Sequence, residues 1–378
     1  MNRATLSTAK RPADLPALNE HIAALPPYNA GLSLAEAQRL GGREDMARLA
    51  SNENPDGCAP GVLAALTGAA LEPWRYADPS CTALRAALEA HTGVTADRIV
   101  IGNGSEEMIL AVIRVLLGPG RDLLTVLPSF GLHGICATSL GAGVAHVAMT
   151  PQGGFDIDGL CAALARRPAM LALSSPWNPV GPALDAPALD RLLAAADPAR
   201  TAILFDEAYF EYADPATRPD ALTMLARWGG HWASLRSFSK AWGLAGLRVG
   251  YALCSSPALA VAVTNAKTPF NVNAAAQAAA LAALDDPAWM QASVARCAAE
   301  RARMAAALAG MGLFMPPSQT NFLFIDLRRD AEPVAAALLR EGVIVKPWRE
   351  PRYESFLRVT IGTAAENERF LAAMRKLA

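Results

Sequence analysis

From Arg98 onward the chain alternates short apolar runs with longer segments of helical periodicity, and that rhythm limits the folds open to it. The apolar runs Arg98–Ile101, Leu123–Leu127, Val144–Met149, Met170–Ser174, Ala202–Phe205, Trp232–Leu235 and Val249–Leu253 all have strand length. Helical stretches separate several of them, as in Glu106–Leu117, Ile157–Ala165 and Pro187–Ala195. The last of these opens on a proline, which suits a first helical position. The alternation predicts a largely parallel α/β sheet, whose ligands sit outside the carboxyl ends of the strands.

After about Pro269 the texture changes. Alanine-rich helical segments (Ala274–Leu284, Trp289–Gly310) lead to a strand at Asn321–Leu327, a helix at Pro333–Glu341, strands at Val343–Val345 and Phe356–Ile361, and a helix at Ala364–Leu377. We therefore expect an arm over residues 1–50 that joins a smaller α+β domain at 273–378, and a large sheet domain at 51–272. The arm reads as helical pieces broken at Pro26-Pro27 and Gly41-Gly42.

Composition removes several function classes. A formal net charge of −1 leaves no broad electrostatic footprint for nucleic acid. The six cysteines are dispersed without a C-x-x-C, and the five histidines form no metal-ligand spacing, so neither a disulfide framework nor a metal site is expected. The first residues lack the apolar core of a signal peptide, and no window approaches the run of about 20 apolar residues that a membrane span needs. A cytoplasmic location is the expectation.

Four features fall at predicted strand ends. I-G-N-G-S-E-E (Ile101–Glu107) is glycine-rich at a strand-to-helix junction, where free N–H groups favour an anion; a tight turn with Ser105 as N-cap explains it equally well. F-D-E-A-Y puts Asp206 just past a buried strand, either salt-bridged or facing a cationic ligand nitrogen. S-S-P-W-N-P-V-G holds Asn178 in a proline-rich turn, as a ligand contact or as a cap. The stretch from Trp232 to Leu253 places Lys240 directly after Ser237 and Ser239, with Arg248 eight residues on. Lysine is scarce here, confined to Lys10, Lys240, Lys267, Lys346 and Lys376 in a chain that otherwise uses Arg. A guanidinium cannot serve as a Schiff-base nucleophile, because it does not lose its proton. Together these make a phosphate cradle (Gly104, Ser105, Ser237, Ser239, Arg248), a carboxylate (Asp206), two hydrogen-bonding groups (Asn178, Tyr209) and a nucleophilic amine. That inventory is what pyridoxal 5'-phosphate needs.

The order G-N-G-S-E-E, N-P-V-G, D-E-A-Y, S-F-S-K-A-W-G-L-A-G-L-R-V-G-Y and L-R-V-T-I-G resembles the fold-type-I, class I/II aminotransferases. S-N-E-N-P, R-Y-A-D-P-S, P-F-N-V-N and E-G-V-I-V-K-P are similar to the histidinol-phosphate aminotransferase subgroup, so the resemblance spans nearly the whole chain. It implies that Lys240 joins the cofactor as a Schiff base, that Asp206 pairs with the pyridine nitrogen, and that Asn178 and Tyr209 bond the ring oxygen. Ser237, Ser239 and Arg248 would hold the phosphate, helped by the helix start at Ser105-Glu106. Phe130 would stack on the ring with Ala208 against its other face. The resemblance further implies a homodimer in which Tyr76 reaches the partner's cofactor phosphate and Tyr28 a neighbouring substrate pocket. Arg358 would grip a substrate anion as a bidentate fork, with a structural salt bridge as the alternative. Asn54 and Asn321 would line the same space.

Two positions depart from the family pattern. Trp177 stands where a small polar residue precedes the ring-contacting asparagine, and Lys346 replaces the arginine of G-V-I-V-R-P that helps hold a substrate phosphate. Lysine keeps the charge but loses the planar fork. The expected reaction is amino-group exchange between an amino donor, histidinol phosphate or an aromatic or other amino acid, and a 2-oxo acid. The alternatives are another pyridoxal-phosphate reaction (decarboxylation, elimination or oxidation) and a catalytically retired scaffold.

Overall fold

Residues 18–25, 29, 31–68 and 71–377 are described by a computed structural model. Their strands, in chain order, are β1 (Ala47–Arg48), β2 (Ile99–Gly102), β3 (Leu123–Leu127), β4 (Val144–Ala148), β5 (Met170–Ser174), β6 (Ala202–Asp206), β7 (Trp232–Ser237), β8 (Gly250–Cys254), β9 (Phe322–Asp326), β10 (Val343–Ile344), β11 (Lys346–Pro347) and β12 (Phe356–Thr360). β2 to β8 form a seven-stranded sheet in the order β2-β8-β7-β6-β5-β3-β4. β8 runs antiparallel to both its neighbours; the remaining pairs are parallel.

The sheet is buried on both faces because its side chains alternate between two apolar layers. Ile203 and Phe205 of β6 enter one core cluster, Ala202 and Leu204 the other. The second layer carries an alanine in each of β5, β6, β7 and β8: Ala172, Ala202, Ala233 and Ala252. Small residues there let the helix Ser105–Leu116 lie close, with Met108, Ile109, Val112, Ile113 and Leu116 on its buried stripe. Full burial of one such side chain is worth about 1.5–3 kcal/mol. The parallel strands consequently end along one edge, with Ser174, Asp206 and Ser237 as the last residues of β5, β6 and β7.

Beyond this sheet, β11, β12 and β9 form an antiparallel sheet, and β1 pairs in parallel with β10. The helices Ala331–Arg340 and Ala364–Leu377 pack on these strands.

The differences from expectation are local. β6 and β7 extend past their apolar runs to Asp206 and Ser237, because Asp206 pairs with Leu235 and Ser237 with Gly250. β8 is antiparallel because the connection 238–249 contains only a short 3-10 turn and no crossover helix, without which a chain can only double back. Ser105 is the first helical residue and Gly104 the N-cap, at φ +80, so the N-cap expectation for Ser105 is corrected. The helices Leu132–Ser139, Ala221–Trp228 and Pro257–Ala266 were not anticipated. The first, L-H-G-I-C-A-T-S, has weak intrinsic helicity and is held by burial of His133, Cys136 and Ala137. The strand expected at Val343–Val345 is cut short, because β10 pairs with β1 while β11 pairs with β12.

Candidate active site

A cavity of about 810 Å³ lies over the carboxyl edge of the large sheet, closed on the far side by β11, β12 and the loop between them. Lys240 lies on the connection that leaves β7, at its base. Ser239 N donates to Ser237 Oγ (3.0 Å), and Gly243 N to Lys240 O (3.1 Å), so the segment is a tight loop. Gly243 has φ +73, and a Cβ there would stand 1.7 Å from the Gly57 carbonyl oxygen. Only glycine fits that backbone approach. The loop aims Lys240 into the cavity, where Nζ donates to Ser51 O (3.2 Å) and lies 5.9 Å from the centre of the Tyr209 ring. Burial, reinforced by the Arg358 and Arg248 guanidiniums, lowers its pKa from the ordinary 10.5 to about 8. About a tenth of the amine is thus in the neutral, nucleophilic form at pH 7.

Arg248 returns to the same place with φ +60, its Nη1 donating to Ala245 O (3.1 Å) and reaching Ser239 Oγ (3.5 Å). Its Nη2 donates to Glu106 Oε2 (3.2 Å) and packs on Gly104, where a Cβ would fall 2.5 Å from it. Ser105, Ser237, Ser239 and Arg248 thereby converge on the cavity at a helix start, a set of hydroxyls, backbone N–H groups and one cation that suits a phosphate.

Asp206 is buried. Its Oδ1 accepts from Ala208 N (3.1 Å), and Oδ2 lies 3.4 Å from His133 Nε2. Asn178 is positioned by a turn tied to β6 through Ser175 N and Asp206 O (2.9 Å), and its Oδ1 accepts from Arg358 Nη1 (2.8 Å). Arg358 Nη2 donates to Ala50 O (2.7 Å). Tyr209 Oη accepts from Asn52 Nδ2 (2.8 Å). Phe130, in T-shaped contact with His133 at 5.8 Å, and Ala208 line the cavity with them. Lys346 does so too: its Nζ donates to Asn29 O (2.7 Å), and burial, Arg358 and Arg349 lower its pKa to about 8. A buried amine, an acid, a phosphate cradle and an aromatic wall are thus adjacent, and the residues present fit pyridoxal phosphate.

Other expected positions lie elsewhere. Asn54 is outside the cavity wall, its amide donating to Ala241 O and Ser293 Oγ (3.0 Å each). Asn321 is buried behind Asn52, donating to its carbonyl (3.0 Å). Trp177 is fully buried, stacked on Phe155 with Nε1 bonded to Pro128 O, and so belongs to the core under the site. Tyr76 is 84% exposed and lies against Phe270 in a tilted pair, ring centres 4.5 Å apart. Tyr28 lies outside the described residues. Asn52, Ser129, Trp348 and Glu350 also line the cavity, and His133 lies beside Asp206, although no sequence motif assigns these residues a role. Asn52 of the S-N-E-N-P string lines the cavity, whereas Asn54, the position the resemblance implies, does not.

The family model for aminotransferase class I and II matches residues 44–374. The chain belongs to this family, whose fold-type-I members use pyridoxal phosphate as cofactor. It is 44% identical over 360 residues to histidinol-phosphate aminotransferase 3 of Rhizobium meliloti, covering 95% of this chain and 97% of that one. It is 43% identical to histidinol-phosphate aminotransferase 1 of Mesorhizobium japonicum, covering 93% and 95%. The crystal structure of histidinol-phosphate aminotransferase from Sinorhizobium meliloti in complex with pyridoxal-5'-phosphate superposes with a TM-score of 0.87 at 29% identity, over 97% of this chain and all of that one. Among the described residues no group of His, Cys, Asp and Glu could hold a metal, and no helix is long and apolar enough to cross a membrane.

Proposed function

We propose that this aminotransferase exchanges an amino group between histidinol phosphate and 2-oxoglutarate, acting as a cytoplasmic homodimer. The observation that carries the reading is the cavity itself. It joins Lys240 and its cradle to two further cations, Arg358 and Lys346, in a chain whose relatives bear that name. When bound, pyridoxal phosphate takes up the donor nitrogen and spreads negative charge from the donor α-carbon into its ring.

The residues of this chain do the rest. Asp206 keeps the proton on the ring nitrogen, and Asn178 and Tyr209 donate to the ring oxygen. The bond from Asn52 orients the phenol for that task. Ser105, Ser237, Ser239 and Arg248 anchor the phosphate, while Phe130 and Ala208 enclose the ring. Lys240 Nζ would be the base that takes and returns the proton at the donor α-carbon. Arg358 and Lys346 hold the donor and acceptor anions. Lys346, lacking the fork, favours a second reading in which the donor is an amino acid without phosphate.

The reading also takes 51–272 as the large domain, 273–378 as the small one and 1–50 as an arm belonging to the small domain; the β1–β10 pairing supports the last assignment. Exposed Trp74, Tyr76 and Phe270 support a dimer that covers them and passes Tyr76 to the partner's phosphate.

The test is a donor panel of histidinol phosphate, histidine, phenylalanine and arginine, followed by the visible spectrum of the holoenzyme and by glutamate release from 2-oxoglutarate. Histidinol phosphate should give the highest kcat/KM; turnover of none of these donors would overturn the reading. Lys240→Ala should abolish the visible cofactor band and turnover, a loss of about 10⁴-fold or more.

A further inference from the structure

The loop between β11 and β12 closes the cavity opposite the large sheet and carries a carboxylate that the reaction above leaves unused. Glu350 lines the cavity and is held by two neutral donors: Trp348 Nε1 to Oε2 at 2.6 Å, and the Ser129 backbone N–H to Oε2 at 3.1 Å. Those bonds fix its aim, since one donor belongs to its own loop and the other to the segment just before Phe130. Among the described residues no ion pair reaches it: neighbouring Arg349 pairs with Glu332, and Lys346 Nζ is turned to Asn29 O. A partly buried carboxylate facing a ligand cavity with only neutral partners is stabilised most by a cation brought in with the ligand. Burial raises its pKa, which such a cation would oppose. The same cavity is lined by the cations Arg358 and Lys346, so a ligand carrying both an anion and a cationic nitrogen matches its lining.

We propose that Glu350 is a specificity-determining residue that selects amino donors whose side chain ends in a cationic or N–H-bearing ring, imidazole foremost, over donors with an apolar ring. This inference rests on the transamination reading and deepens it.

The test uses two donor pairs that differ only in the ring: histidinol phosphate against phenylalaninol phosphate, and histidine against phenylalanine. In the wild-type holoenzyme the imidazole donor should lead in kcat/KM by roughly ten- to a hundred-fold, the worth of one charged hydrogen bond. In Glu350→Gln that ratio should fall to within roughly three-fold, and Glu350→Asp should give an intermediate value. A wild-type enzyme without the preference overturns the inference with no variant needed. So does a Glu350→Gln enzyme in which both donors weaken in equal proportion, because that is the signature of a loop brace to Ser129 alone. Glutamate with 2-oxo acid serves as the separating control. If it turns over while the ring preference is absent, only this inference fails; if it does not turn over, transamination fails and this inference with it.

Discussion

Lys240 is poised by its surroundings at a measurable expense in stability. Its pKa of about 8 in the folded chain against an ordinary 10.5 means that folding disfavours the ammonium. The sign follows directly. Below pH 8 both states carry the proton and the penalty is complete; between 8 and 10.5 the folded state gives it up first and the penalty fades; above that range it is gone. Apo Lys240→Met should therefore be more stable than apo wild type by about 3 kcal/mol at pH 7, with the gain vanishing near pH 10.5. Denaturant titrations at pH 7, 9 and 10.5 check this. An advantage that does not change with pH would mean that packing, and not charge, separates the two proteins. Such a gain on removing a functional group is the usual relation between an active site and stability.

At the scale of elements, the site is made by connections between regular structures. The loop 238–249 turns β7 back into β8 and carries Lys240, Gly243 and Arg248 in one pass. Gly243→Ala would force a Cβ against the Gly57 backbone at positive φ, where neither side can yield cheaply. We expect a loss of about 3 kcal/mol or more and a visible band weakened by the displaced lysine. Gly246→Ala, in the same loop with nothing within 4 Å of the new Cβ, is the control, and its stability should stay within about 0.5 kcal/mol of wild type. Thermal melts of the two holoenzymes decide it; equal losses would show that the loop is generally intolerant. Gly104 is subtler, since its Cβ would meet the movable end of Arg248 and not backbone. Gly104→Ala, strained by the backbone at φ +80 and ψ 165, should lose about 1–3 kcal/mol of stability in thermal melts and about ten-fold in cofactor affinity on reconstitution of the apo protein.

For the whole molecule, the two sheets enclose the cavity from opposite sides, and specific hydrogen bonds join the two sides. Arg358 Nη1 to Asn178, Thr360 Oγ1 to Asn52 Oδ1 (3.0 Å) and Tyr353 Oη to Leu127 O (3.0 Å) each join the β12 side to the large sheet or to the loop that holds Asn52. Catalytic groups thus depend on both lobes at once. The proposed dimer extends that logic to a second chain. Light scattering should return twice the 39.7 kDa of one chain, and Tyr76→Phe should lower cofactor affinity without separating the subunits. A stable monomer with full activity would remove Tyr76 from the site.

Much of this was legible in the chain because it is written in short range. Strand cores such as Leu123–Leu127 and Met170–Ser174 are largely apolar runs, a signal complete within five residues. Lys240, Asp206, Asn178 and Arg248 stand out because each is a costly residue at a strand end or in the connection after it, which the sheet brings to one edge. The antiparallel sense of β8 is set by the absence of a crossover, which periodicity does not register. Whether Asn52 or Asn54 faces the cavity depends on a left-handed backbone at Asn52 (φ +56) and on Thr360 and Asn321, more than 250 residues away. Glu350 has no local signal at all: it becomes a site residue only when the second lobe brings it to the Ser129 amide, because side-chain proximity across domains is a product of packing and not of sequence spacing.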